Sequence, residues 1–160
     1  MLFLVEANEK YTGELAQFKK EVLLYDKNRT DQFAGCMGLR DCSTEKDWIK
    51  LCNLRKRTET CEQAGTTVPS TTYFAIRESD NRLVGVIDLR HHIDHPILGT
   101  WGGHCGYSVR PSERGKGYAN EMLRLNIQNA KRMGLSKLLV VCDETNAASE
   151  KTILANGGGF

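Results

Sequence analysis

The stretch Tyr107-Ser-Val-Arg-Pro-Ser-Glu-Arg-Gly-Lys-Gly-Tyr-Ala119 decides how the rest of this chain is read. It closes a strand over Gly103–Val109, which Pro111 stops, and leads into a helix over Gly117–Met133 that Gly134 ends. Met122, Leu123, Leu125, Ile127, Ala130 and Met133 give that helix one apolar face. Between strand and helix lie Arg114, Gly115, Lys116 and Gly117, two glycines flanked by two cations. The first N–H groups of a helix lack intrahelical partners and sit at the positive end of its dipole. Glycines let the backbone come close to a ligand there, so the arrangement is a cradle for a phosphate or pyrophosphate. The pattern GxxxxGK[ST] is absent. GxGxxG breaks because Asn120 stands where its third glycine belongs.

Outward from this stretch, Lys137–Cys142 is a continuous apolar run, predicted to be a fully buried parallel strand, and Asn146–Ala155 a last helix. Upstream, Thr71–Arg77 and Arg82–Arg90 form a hairpin around the turn Glu78-Ser-Asp-Asn81. The second half therefore reads β-β-β-α-β-α, an α/β arrangement with one parallel crossover. The first 70 residues begin with a strand at Leu2–Val5. A helix over Glu14–Asp26 follows, with Leu15, Phe18, Val22 and Tyr25 on one face. Lys27–Cys42 is a long polar loop, and loops of that length tend to be functional. Ser43 or Thr44 caps a second helix that runs to about Thr60. Its run Arg55-Lys56-Arg57 reads as a solvated cationic helix end.

The 160 residues fit one domain, with 1–70 as a lead-in and 71–160 as the core. Lysine and arginine number 22 against 20 acidic residues, a net charge of +2, which excludes a nucleic-acid binder that works through a strong basic field. No apolar run approaches the ~18 residues of a membrane-spanning helix. The N-terminus has no basic region before its apolar residues and is no signal peptide. Six cysteines without a CxxC pair then read as free thiols of a reducing, cytoplasmic compartment, and no metal site is expected of them.

Arg114-Gly-Lys-Gly-Tyr-Ala119 also matches [QR]xxGx[GA], the acetyl-CoA signature of the GNAT N-acetyltransferase superfamily. From Thr72 onward the chain resembles a GNAT core in order: hairpin, motif strand, pyrophosphate loop and helix, buried strand, Asn-led helix. The wording Gly106–Ala119 is similar to that of uncharacterised bacterial predicted acetyltransferases. The resemblance implies a mixed sheet flanked by helices, with acetyl-CoA as the acyl donor. It implies that Arg114, Gly115, Lys116, Gly117, Tyr118 and Ala119 hold the CoA pyrophosphate, Arg114 and Lys116 adding charge. Tyr107, Ser108 and Val109 would border the pantetheine arm, which slots like an added strand between 103–109 and 137–142. Asn146 would bond that arm, with Ser149 one turn on.

For catalysis, the family's glutamate on the motif strand falls at His104, a residue able to take the amine's proton; a hydrogen-bonded structural histidine is the competing reading. The family's tyrosine acid falls at Ile153, so the proton for the leaving thiolate comes from water or another group such as Tyr118 or Tyr73. His91-His-Ile-Asp-His95 invites a metal, but neighbouring strand residues face opposite ways, and a loop beside the acceptor site is the better reading. Asp88 and Asp94 are alternative bases. Cys105 faces away from His104, which disfavours a Cys–His nucleophile.

Family members carry two further strands beyond the position of Phe160. Truncation, a wall supplied by a second subunit in a homodimer, or lost catalysis would each account for this, and truncation of an ordinary enzyme is the expectation. The function implied is transfer of acetyl from acetyl-CoA to a primary amine, on a small molecule or a peptide, in a ternary complex. The alternative is a non-catalytic acyl-CoA sensor.

Overall fold

A computed structural model describes residues 1–29, 31–95 and 102–159. The part of the His91–Gly99 loop from residue 96 onward, and Phe160, lie outside the described residues. The elements are β1 (Leu2–Glu6), α1 (Thr12–Tyr25), α2 (Glu45–Arg55), β2 (Ser70–Arg77), β3 (Arg82–Arg90), β4 (Tyr107–Val109), α3 (Tyr118–Arg132) and α4 (Ala147–Ala155). The strands form one antiparallel sheet in the order β1-β2-β3-β4.

Strand alternation sends side chains to two layers. Phe74, Ile76, Leu83 and Val86 pack with Leu15, Phe18 and Val22 of α1 and with Trp48 and Ile49 of α2. Ala75, Val84 and Ile87 face the opposite way, onto Leu2 and Met122 of α3. Leu83 and Val86 share a face because the ladder slips between Ala75 and Ile76, an extra residue that reverses the alternation. Trp48 stacks on Phe74 with ring centroids 6.4 Å apart, and both are fully buried. Burial of such a side chain is worth ~1.5–3 kcal/mol.

Local signals act as read at several ends. Thr44 caps α2 by accepting from Asp47 N at 3.1 Å, and Asn81 takes a left-handed φ of 56° in the β2–β3 turn. α2 stops at Arg55, not near Thr60, because the Thr60 hydroxyl turns back to donate to the Leu54 carbonyl at 2.6 Å. Arg55 is not a solvated cation either. It is buried and donates from Nη1 to the Met37 carbonyl at 2.8 Å, pinning the long loop.

The largest departure concerns 137–142. Instead of a buried strand, this segment makes a single parallel bridge, Cys105 to Val140, and Leu139 is 37% exposed. Likewise the ladder on 103–109 begins only at Tyr107. Beyond the bridge the two segments splay, and no strand covers the outer edge of 137–142 among the described residues. The α/β class stands, with the parallel part of the sheet reduced to that one bridge. The splay is what opens a site.

Candidate functional site

A cavity of about 900 Å³ occupies the splay and reaches the N-terminus of α3. One wall is β4. Gly106 O accepts from Asp88 N and Arg110 N donates to Val84 O, so the even-numbered residues turn their backbone toward β3. Backbone groups alternate along a strand, which leaves those of Tyr107 and Val109 directed at the opposite edge, into the splay. The other wall is Val141–Asp143 and α4.

At the far end the chain leaves β4 through a 3-10 turn at Pro111–Glu113 and starts α3 at Tyr118. Gly115 and Gly117 have φ of 79° and 80°, the left-handed region that glycine enters without strain. A Cβ on either would meet nothing within 4 Å, so here glycine serves the backbone angle, not close packing. Gly117 caps α3 without a side-chain bond, and the first amides of the helix face the cavity with Gly115, Gly117, Tyr118 and Ala119.

The two cations do not stand free over this cradle. Arg114 donates from Nη1 and Nη2 to the two Asp26 oxygens at 2.7 and 2.5 Å, a fork on a carboxylate only 5% exposed. Lys116 donates to Glu113 at 2.7 Å and does not line the cavity. Glu113 also accepts from Arg77 at 2.8 Å. Burial pushes the Glu113 carboxyl up, but the bonds from Lys116 and Arg77 outweigh it and hold it below the usual carboxylate range.

Of the residues read as cofactor-binding, all but Lys116 line the cavity. Their side chains are nonetheless occupied. Ser108 Oγ donates to the Ala34 carbonyl at 2.6 Å, and the Tyr118 hydroxyl accepts from Arg77 at 3.1 Å. Asn146 caps α4, accepting from Ser149 N at 3.1 Å, and donates to Asp31 at 3.4 Å. The Tyr107 hydroxyl lies 2.6 Å from Ser149 Oγ.

His104 is buried and does not line the cavity. Its Nδ1 accepts from Leu139 N at 2.8 Å, while its own N–H donates to the Leu139 carbonyl at 2.7 Å. A neutral imidazole has one acceptor nitrogen, and here it is spent on the backbone of 137–142, so the proton sits on Nε2. Burial, with Arg90 and His92 nearby, lowers the pKa of the ring and keeps it neutral. Asp88 is buried behind the splay, accepting from Gly106 N at 2.7 Å, and burial raises its pKa. Asp94 is exposed. His91 Nε2 pairs with Thr71 Oγ1 at 2.9 Å, and no group of three His, Cys, Asp or Glu side chains converges among the described residues. All six cysteines are unpaired, and the buried Cys105 thiol has its pKa pushed up to about 12.

Sequence reasoning missed Asp26, Asp31, Phe33 and Ala34, which put the long loop against the cavity. The signal was a pair of glycines distant in sequence. Gly35 and Gly106 touch backbone to backbone, and a Cβ on either would collide with the other.

The profile of the family described as acetyltransferase (GNAT) domain matches residues 41–158. The chain belongs to the GNAT acetyltransferases. It is an acetyltransferase, with acetyl-CoA as acyl donor. Among solved structures it is similar to RimL, described as a ribosomal L7/L12 alpha-N-protein acetyltransferase in complex with coenzyme A. That match has 19% identity and a TM-score of 0.64, over 97% of this chain and 78% of that one. It is also similar to the microcin C7 self-immunity acetyltransferase MccE, in complex with acetyl-CoA and AMP, at 19% identity and a TM-score of 0.62, over 98% and 77%. A third is the ribosomal-protein-S5-alanine acetyltransferase from Vibrio fischeri, at 15% identity and 0.56, over 98% and 77%. At these identities the likeness concerns the fold. No curated protein sequence matches the chain. No helix among the described residues is long and apolar enough to cross a membrane.

Proposed function

We propose that this acetyltransferase moves the acetyl group of acetyl-CoA to a primary amine by direct attack in a ternary complex. The observation that carries the reading is the splay. A strand edge offering the backbone groups of Tyr107 and Val109 runs straight into the amide cradle at Gly115–Ala119, inside one cavity. An extended pantetheine arm is bound as an added strand on that edge, and its pyrophosphate rests on the helix amides. Arg114 and Lys116 act here by holding the loop through Asp26 and Glu113, and the backbone carries the anion.

The amine reacts as the free base. In this reading His104 is a positioning residue. Its bond to Leu139 sets the distance between the two walls of the slot, and the ring has no second acceptor to offer an ammonium. The long loop that brings Asp31, Phe33 and Ala34 to the cavity shapes the acceptor site. The similar structures named for ribosomal proteins make peptides with free N-termini the first acceptors to try, followed by small-molecule amines.

Calorimetric titration with acetyl-CoA, then CoA release on addition of N-terminal Ser and Ala peptides, tests the reading. Micromolar binding with thiol release supports it. Binding without release for any amine gives the acyl-CoA sensor instead. No binding at all overturns both.

A further inference from the structure

We propose that the Tyr107 hydroxyl, paired with Ser149 Oγ across the slot, is the proton donor to the departing CoA thiolate. The proposal rests on the acetyl-transfer reading above and deepens it. Breaking a thioester leaves a negative sulfur, and a positioned acid that delivers a proton as the C–S bond lengthens raises the rate. The question is which side chain stands where that sulfur ends.

The cavity has an open end at the α3 amides and a closed end at the Cys105–Val140 bridge, where the walls meet. An arm anchored by its pyrophosphate at the open end carries its sulfur toward the closed one. Gly106, Val141 and Cys142 line that end beside Cys105. Tyr107, next along β4, lines the cavity with its ring packed in the cluster that includes Leu125 and Tyr118 and its hydroxyl 2.6 Å from Ser149 Oγ. The thiols of Cys105 and Cys142 are both within electrostatic reach of the phenol. The phenol is therefore held on the slot wall from two sides, by its packed ring and by Ser149.

Burial raises the phenol pKa above its ordinary value, opposed mainly by the bond to Ser149, while Cys105 and Cys142 add to the rise. It stays protonated at neutral pH, as a donor must. Tyr73 and Tyr118 lie in the same cluster, and Asp31, Asp143 and Lys151 are among the charged groups on the cavity wall. The competing hydroxyl of Tyr118 is turned to Arg77. The Cys105 thiol, on the cavity wall, is buried and its pKa is pushed up to about 12.

The step balances as follows. The amine nitrogen bonds to the acetyl carbon, and collapse of the tetrahedral intermediate breaks C–S with the electron pair left on sulfur. The Tyr107 proton moves to sulfur and gives CoA thiol. Ser149 passes a proton to the phenolate while taking one from water at the cavity mouth. The proton lost by the amine nitrogen goes to water, so none is created or consumed.

An equilibrium readout needs no acceptor. CoA is bound to the wild type and to Tyr107→Phe, and the thiolate is titrated by its ultraviolet absorbance against the same protein without CoA. A hydroxyl that donates to sulfur stabilises the thiolate. The wild type should then hold the bound thiol below free CoA in pKa, and Tyr107→Phe should return it upward by about one unit, tenfold in the thiolate-to-thiol ratio. Ser149→Ala should move it the same way by less. With a peptide amine, Tyr107→Phe should lose ~100-fold in kcat with KM for acetyl-CoA within about twofold, since only a transition-state contact is removed.

An unchanged thiol titration in Tyr107→Phe overturns the proposal, as does a raised KM with intact kcat. If Tyr107→Phe fails to fold, Ser149→Ala decides alone, because an unshifted thiol there has the same meaning. Failure of wild-type protein to bind CoA overturns the acetyl-transfer reading itself. CoA bound with no shift in either variant overturns only the assignment of Tyr107.

Discussion

The two walls of the slot are built differently. The β4–α3 wall is tied into the body at almost every residue. Arg110 is buried and bonds Glu21 at 2.5 Å, Glu113 gathers Arg77 and Lys116, and Arg114 is forked onto Asp26. The facing wall, residues 137–146 with the start of α4, is held by one parallel bridge, the two-way bond of His104 to Leu139, the long Asn146 bond to Asp31 and the Tyr107–Ser149 pair. A rigid wall can present a cradle of backbone amides in fixed positions, whereas a lightly held one can part to admit an arm between the strands. On the proposed function, the asymmetry divides labour: one side recognises, the other side yields.

The largest effect expected from breaking this contrast is on the rigid wall. Gly117→Asp puts a carboxylate where the proposed reading rests the pyrophosphate and should weaken acetyl-CoA by ~100-fold or more through like-charge repulsion at the helix start. Aspartate tolerates a left-handed angle and caps helices, so the thermal midpoint should move little. Unchanged affinity in calorimetry would mean the cradle lies elsewhere.

Next in size is Arg114→Ala. It leaves the buried Asp26 carboxylate with only the Arg29 contact at 3.9 Å and should cost ~2–3 kcal/mol in urea unfolding. Lys116→Ala, at a side chain half exposed, should cost under ~1 kcal/mol and serves as the control. Equal losses would show that the fork contributes no more than an ordinary surface pair.

On the yielding wall, His104→Ala should cost ~1–2 kcal/mol globally, because it removes a buried ring and with it the acceptor of the part-buried Leu139 N–H. Amide exchange should rise most at Leu139. In kinetics, the acidic limb of kcat/KM should follow the pKa of the acceptor amine in wild type and variant alike. A limb that belongs to the enzyme and vanishes with His104→Ala would restore that residue as the base.

The smallest effect is that of acid. The carboxyl pKa values of Glu113, Glu21 and Asp31 lie below their ordinary values, opposed by burial in the first two and held down chiefly by the Arg29 bond in Asp31. Their contribution is therefore complete above the unfolded carboxylate pKa of about 4 and is lost as pH falls through the folded values. Thermal melts should be flat down to about pH 5 and fall below it. A decline that begins near neutrality would point to other groups.

What could be read without coordinates follows from where the information lies. The hairpin, α3 and the caps at Thr44 and Asn146 depend on residues within a few positions of one another, and they stand where local chemistry puts them. The glycine pair at 115 and 117 is legible for the same reason, since a backbone angle is a local demand. The run 137–142 was misread because an apolar composition says that a segment wants partners, not that partners are present. The ion-pair partner of Arg114 is not legible in the sequence, because neighbouring Glu113 gives no hint of Asp26, 88 residues away.

Sequence alone determined the family and the acyl donor, because Arg114–Ala119 carries its motif in one unbroken stretch of backbone. Tertiary structure decided everything that depends on two distant segments meeting. It placed the loop of Gly35 against Gly106, paired Arg114 with Asp26, set His104 on Leu139 and brought the Tyr107 hydroxyl to Ser149. Hydrogen bonds and ion pairs act over about 3 Å, and no spacing along a chain tells which polar groups, free to choose among many partners, will come that close.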